Sequence, residues 1–165
     1  VSLIDMMVRF GCSPLLKEVY LVNSSSKGND YNSNNSWACM NYLFKTGYCF
    51  RHKLVSKRIV LPEITKDLKG DGSNDTCSIT LYPTDGDSFE FSRKRSEIAP
   101  FLKGVLAGSP DLKFKKTVIS QAINMCFASE FAGVYIPEEM EADENIDKKN
   151  ISNIVIDTSD YNGNS

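Results

Sequence analysis

The chain has 165 residues but a single histidine, a single tryptophan and only six prolines. With His52 as the lone imidazole, a multi-histidine zinc site is excluded. Any Ser-His-Asp or Cys-His catalytic set would have to use that one ring. The five cysteines, at 12, 39, 49, 77 and 126, are odd in number, and no two form a CxxC pair. A disulfide framework is therefore not expected, and a reducing cytoplasm is the simpler reading. Apolar runs last only a few residues, so no transmembrane helix is predicted. The stretch from Val1 to Phe10 has neither a basic start nor a cleavage site, which argues against a signal peptide. The chain does not begin with Met, as expected of an internal piece of a longer protein. There is no P-loop, GxGxxG, HExxH or EF-hand loop and no internal repeat. Neither a metal nor a cofactor is expected.

What is present is ordinary for one globular domain: 41% hydrophobic and 24% charged residues. A chain of this length can bury a core without staples. Charge is unevenly spread. Residues 1–137 carry 17 Lys+Arg against 13 Asp+Glu, and residues 138–165 carry 2 Lys against 8 acids. The latter read as an acidic, mostly disordered tail, with a short strand near Asn150 to Ile156. Its Glu138, Glu139 and Glu141 fit a solvated acidic run better than a metal site. Basic islands stand at Arg51, Lys53, Lys57 and Arg58, at Arg93, Lys94 and Arg95, and at Lys113, Lys115 and Lys116. On composition alone, such islands are solvated faces.

Periodicity predicts the elements. Leu3, Ile4, Met7 and Val8 mark a helix that Gly11 ends. Leu15 to Val22 has β character, and Asn23 to Asn35 reads as a polar loop. Ser36 as N-cap, with Trp37, Met40 and Phe44 at helical spacing, predicts a helix that Gly47 closes. Tyr48 to Val60 alternates as a long strand, with Arg51, Lys53, Val55 and Lys57 on one face. Thr76 to Tyr82 and Ser88 to Ser92, joined by a turn with Asp85-Gly86, predict a hairpin. Ser96 to Leu106 is helical, interrupted at Pro100. Ser109-Pro110-Asp111 opens the clearest helix. Its apolar stripe is Val118, Ile119, Ala122, Ile123 and Cys126, and its polar face is Lys113, Lys116, Ser120 and Asn124. Cations in a first turn oppose the helix dipole by a few tenths to about 1 kcal/mol. They are either simply exposed or shared with the helix start as an anion site.

Two segments carry a resemblance. Phe10-Gly11-Cys12-Ser13-Pro14-Leu15-Leu16-Lys17-Glu18-Val19-Tyr20 resembles the Gly-Leu-Asn-Pro … Lys-Glu-Ile-Tyr signature of the RecT/Bet (Red-beta-like) phage single-strand DNA annealing proteins. Lys115-Lys116-Thr117-Val118-Ile119 is similar to the RecT Lys-Lys-Thr-Val helix start. Phe131-Ala132-Gly133-Val134-Tyr135, with Glu138-Glu139 behind, looks like the Bet Phe-Ala-Gly-Ile-Tyr element. Trp37 stands where the family has a Gly-Trp step, and the Thr76 to Phe91 hairpin stands where the family has one. Order and spacing agree from about Leu3 to Asp143. Leu15 replaces a family Trp, and Ser36 replaces a Gly. The helix before Leu3 and the C-terminal partner-binding region of longer members have no counterpart here.

The resemblance implies an α+β fold. Its expected form is a small antiparallel β-sheet with a hairpin packed on a long helix, a compact annealing core over residues 1–137 with the acidic tail over 138–165. It implies ATP-independent binding of single-stranded DNA and annealing of complementary strands, with no bond chemistry. The implied partners are single-stranded DNA, further copies in a ring or helical filament, a phage 5'-3' exonuclease and a host single-strand binding protein; no membrane is implied. The setting would be the cytoplasm of a bacterial host. Lys113, Lys115 and Lys116 match the family's basic helix start. Arg51, Lys53 and Lys57 form a strand-borne ridge by alternation, and Arg93, Lys94 and Arg95 follow. Phe114, set among lysines, is offered for stacking on a base, with a core position as the alternative. The expected site is one trough lined by the helix start and the cationic sheet edge. A degenerate prophage fragment that binds a protein and no DNA is the rival reading. A nuclease is a third, for which the acids and the lone His52 give little support.

Overall fold

A computed structural model describes residues 2–23, 36–102 and 109–136. Residues 24–35 of the polar loop, the acidic tail and its short strand, Glu138, Glu139 and Glu141, and the end of the Ser96 to Leu106 helix lie outside the described residues, while Asn23 ends a strand.

The described chain is α+β. Helix α1, Leu3–Phe10, starts with a capping box: Ser2 Oγ accepts from Asp5 N–H while Asp5 accepts back from Ser2. It ends at Gly11, whose φ of 64° is left-handed. No atom lies within 4 Å of where a Cβ would stand. The cost of Gly11→Ala is therefore the backbone penalty alone, about 1–2 kcal/mol, and thermal unfolding should report it. An unchanged midpoint would show that the left-handed cap is not held.

Strands β1, Val19–Asn23, and β2, Ser36–Met40, pair antiparallel with Val19 opposite Met40. Helix α2, Tyr42–Arg51, follows at once, capped by Asn41 Oδ1, which accepts from Leu43 N–H at 2.8 Å. This corrects the predicted helix from Ser36. Trp37 and Met40 are strand residues, the cap is Asn41, and Gly47 lies inside α2. Strands β3, Ile64–Thr65, β4, Thr76–Leu81, and β5, Phe89–Lys94, form an antiparallel sheet in the order β3-β4-β5. The β4-β5 hairpin has the predicted phase: Cys77, Ile79, Leu81 and Phe91 are buried. A 3-10 helix, Arg95–Leu102, leads towards α3, Pro110–Cys126. Pro110 opens α3 as expected, but Ser109 makes no side-chain capping bond.

One core joins these elements. Met6 and Phe10 of α1, Val19, Met40 and Cys49 pack with Ile79, Phe91, Phe114, Val118 and Ile119. After α3 the chain returns to the first sheet. Tyr135 bridges Cys39 in parallel, and Met40 N–H donates to Tyr135 O at 2.9 Å. Arg9 holds the same return, donating to Ser129 O and Glu130 O at 2.9 and 2.6 Å. Gly133, at a φ of 72°, allows the turn between Phe131 and Tyr135. Burial pushes the Cys12 and Cys77 thiols up to about 11 and Cys49 up to about 12, so they stay protonated packing groups.

Candidate nucleic-acid interface

The start of α3 is not the basic face that its sequence predicts. Lys113 is 1% exposed and Phe114 is fully buried. Ser120, placed on the expected polar face, is also buried, and Lys116 and Asn124 are half-buried. The helix lies between β4 on one side and Lys45 of α2 on another, so it has almost no solvated face at this level. Lys113 therefore cannot grip a phosphate from outside, and Phe114 is core and not a stacking platform. Lys115 Nζ stands 3.8 Å from Glu63 Oε2, and Lys116 Nζ stands 5.2 Å above the Tyr42 ring.

Arg95 is likewise committed. Its guanidinium contacts Asp75 at 3.3 Å and Asp111 at 2.5 Å, and it lies 4.7 Å over the Phe114 ring. Lys66 bridges the same two carboxylates at 3.3 and 3.1 Å. Arg93 covers the Phe91 ring at 4.3 Å, whereas Lys94 is exposed. The basic island of Arg93, Lys94 and Arg95 thus ties β5 to the first turn of α3, where Asp111 also suits the helix dipole. The expected trough between the helix start and the sheet edge is not assembled.

This acid–base cluster sets an acid limit on stability. A bond from Asp67 N–H, with Lys66 and Arg95 beside it, holds the Asp75 carboxyl below the usual carboxylate range. Arg95 and then Lys66 do the same for Asp111. Both groups bind a proton less readily folded than unfolded. Their contribution is complete above the ordinary value of 3.8 and is lost as pH falls through the lowered folded values. Urea unfolding followed from about pH 5 to about pH 2 should show this loss, and Asp75→Asn should flatten it. An equally steep loss in the variant would remove the cluster as its cause.

The island of Arg51, Lys53, Lys57 and Arg58 survives in a different form. Tyr48 to Val60 is not a strand. Helix α2 runs on to Arg51, His52 caps it, and Lys53 takes a left-handed φ of 55°. Leu54 and Val55 N–H both donate to Cys49 O, and Thr84 Oγ1 donates to Lys53 O. The chain turns sharply and Val55 enters the core. Alternation was therefore the wrong reason for grouping these cations, but the turn exposes Arg51, Lys53, Lys57 and Arg58 in one short span.

Three of the four lie against aromatic rings. Arg51 is 5.0 Å over Phe44, Arg58 is 4.4 Å over Phe50, and Lys57 is 4.1 Å over Tyr82. Phe44 and Phe50 are half-buried and Tyr82 is exposed. Exposed cations held against aromatic rings suit a flexible anionic polymer that carries flat bases. Sequence reasoning missed Arg58, Phe44, Phe50 and Tyr82 as members. The spacing of Phe44 and Phe50 before the basic run was the available signal.

Beside this ridge lies a cleft of about 370 Å³, walled by residues 57–60, Pro62 and β4 with Tyr82. Among the described residues, no group of three His, Cys, Asp or Glu side chains could hold a metal ion. No helix among them is long and apolar enough to cross a membrane. Compared with known proteins, the chain matches no protein-family model, no curated protein and no solved structure.

Proposed function

We propose that this protein binds single-stranded DNA and anneals complementary strands without ATP, in the manner its RecT/Bet-like segments imply. The observation that carries this reading is the ridge of exposed cations at Arg51, Lys53, Lys57 and Arg58, with Arg51 on Phe44, Arg58 on Phe50 and Lys57 on Tyr82. Annealing asks for no bond chemistry. The protein neutralises phosphates, and base pairing supplies the driving free energy. Cations give affinity that falls steeply with salt, and ring stacking adds about 1–3 kcal/mol per base. The same reading carries a cytoplasmic setting in a bacterial host, assembly of copies on the strand, and work beside a phage exonuclease and a host single-strand binding protein.

The test is fluorescence anisotropy with a labelled oligonucleotide, followed by annealing of its complement. Binding at low salt that weakens steeply with added salt is expected. A folded sample that binds no oligonucleotide at low salt would sink the reading.

That result would leave the rival, a protein-binding fragment, which one observation favours. Ile4 and Val8 on the outer side of α1 are 71% and 81% exposed, near Leu15 at 94% and Leu16 at 73% in sequence. Exposed apolar side chains of this size suit a partner protein better than DNA.

A further inference from the structure

The cleft beside β4 has a definite origin in chain length. Val55 pairs with Pro83 at one end, and Ile64 pairs with Cys77 at the other. Between those bridges, residues 56–63 must span what residues 78–82 span on β4. Eight residues opposite five cannot lie flat, so the surplus arches away from the sheet. Pro62, without an N–H, sits in the arch and could not have completed a ladder there.

The arch leaves a stretch of strand edge open. Ser56 N–H donates to Tyr82 O at 2.8 Å, and Thr84 N–H donates to Leu54 O at 2.9 Å. The backbone groups of Tyr82 and Thr84 therefore point towards the arch. Strand alternation gives the same direction to Thr80 and Ser78. Two observations agree with this phase. Arg95 N–H bonds Asp75 O on the β5 side, and the Ser78 and Ser92 hydroxyls meet at 2.9 Å, as in a non-hydrogen-bonded pair. Among the described residues, no backbone bond joins residues 57–62 to Ser78 or Thr80. The Ile64–Cys77 pairing in this phase turns the Ser78 N–H to residue 63, so the cleft wall carries the Ser78 C=O beside the Thr80 N–H and C=O. The opposite wall carries Ile59, Val60 and Pro62.

We propose that this cleft holds one unpaired base of the bound DNA strand. A base is apolar on its faces and alternates donors and acceptors along its edge. The arch offers the first surface, and the Ser78–Thr80 edge offers the complement of the second. About 370 Å³ lies at the small end of ligand pockets, with room for one nucleotide unit. Lys57 and Arg58 stand at the same cleft and belong to the ridge. A strand following the ridge therefore brings its phosphates to the mouth as a base enters. The inference rests on the single-strand reading and names the contact that would fix the strand's position.

The test uses the full chain, labelled with ¹⁵N, and three probes: thymidine monophosphate, a dT oligonucleotide and an abasic oligonucleotide of equal length. Expected are amide shifts at Ser78 and Thr80 with the first two probes and not with the abasic strand. Val60→Trp fills the cleft from a side chain that is 69% exposed, so folding is spared. It should abolish those shifts and weaken dT binding about tenfold, with the salt slope unchanged. Ser78 and Thr80 amides that stay still while the dT oligonucleotide binds would overturn the inference and leave the ridge standing. Equal binding and equal shifts with the abasic strand would do the same. No oligonucleotide binding at all would overturn both readings.

Discussion

Replacing Arg51, Lys53, Lys57 and Arg58 together by Ala is expected to lower oligonucleotide affinity about a thousandfold near 50 mM salt. The slope of log affinity against log salt should flatten by about 3, because each lost phosphate contact on a single strand removes about 0.7. Fold stability should change little, since these four side chains are exposed and their ring contacts lie at the rim. The informative comparison is Lys115→Ala with Lys116→Ala. Those residues are half-buried and stand by Glu63 and Tyr42, so the pair should move the slope much less. If the α3 pair costs more than the four ridge residues, the interface lies on α3 and the ridge is an ordinary solvated turn.

The largest expected stability effect belongs to Lys45. It is 1% exposed, in the middle of α2. Its Nζ donates to Asn124 Oδ1 at 2.8 Å, to Ser120 Oγ at 3.3 Å and to Val134 O at 3.5 Å, and lies 5.3 Å over the Phe131 ring. One side chain therefore joins α2, α3 and the returning segment. Lys45→Ala removes both the donor and the stem, opening a cavity, and should cost about 3–5 kcal/mol. Lys45→Met keeps the volume and loses the donor alone, and should cost about 1–3 kcal/mol. Urea denaturation separates the two. Equal losses would mean that the stem does not pack, and no loss in either would mean that the ammonium contacts contribute nothing to stability.

Lys45 also shows where the sequence stopped being legible. Elements with one periodicity and a clear punctuation mark could be read: α1 with Gly11, the β4-β5 hairpin with Asp85-Gly86, and α3 with Pro110. Residues 36–60 could not. Trp37, Met40 and Phe44 meet helical spacing across a strand-to-helix junction, and the decisive cap was Asn41, which sits among apolar residues and attracts no notice. Arg51, Lys53 and Lys57 alternate in sequence, but a left-handed Lys53 breaks the strand that alternation implies. Lys45 and Lys113 were beyond reach for another reason. A lysine reads as surface by default, and only tertiary neighbours can make its burial tolerable. The candidate site was half legible: the basic run was visible, while its rings arrive from Tyr82 and from the body of α2.

The return of Tyr135 to Cys39, and of residues 129–130 to Arg9, has a consequence for synthesis. α1 stays incomplete until residues about 120 positions downstream have left the ribosome, and the first sheet until Tyr135, 96 positions after Cys39, has done so. A nascent chain stalled before that point shows water the apolar groups that the return would cover. Pulling this chain from both ends would load the Arg9 clasp and the Cys39–Tyr135 bridge directly, before force reaches the hairpin.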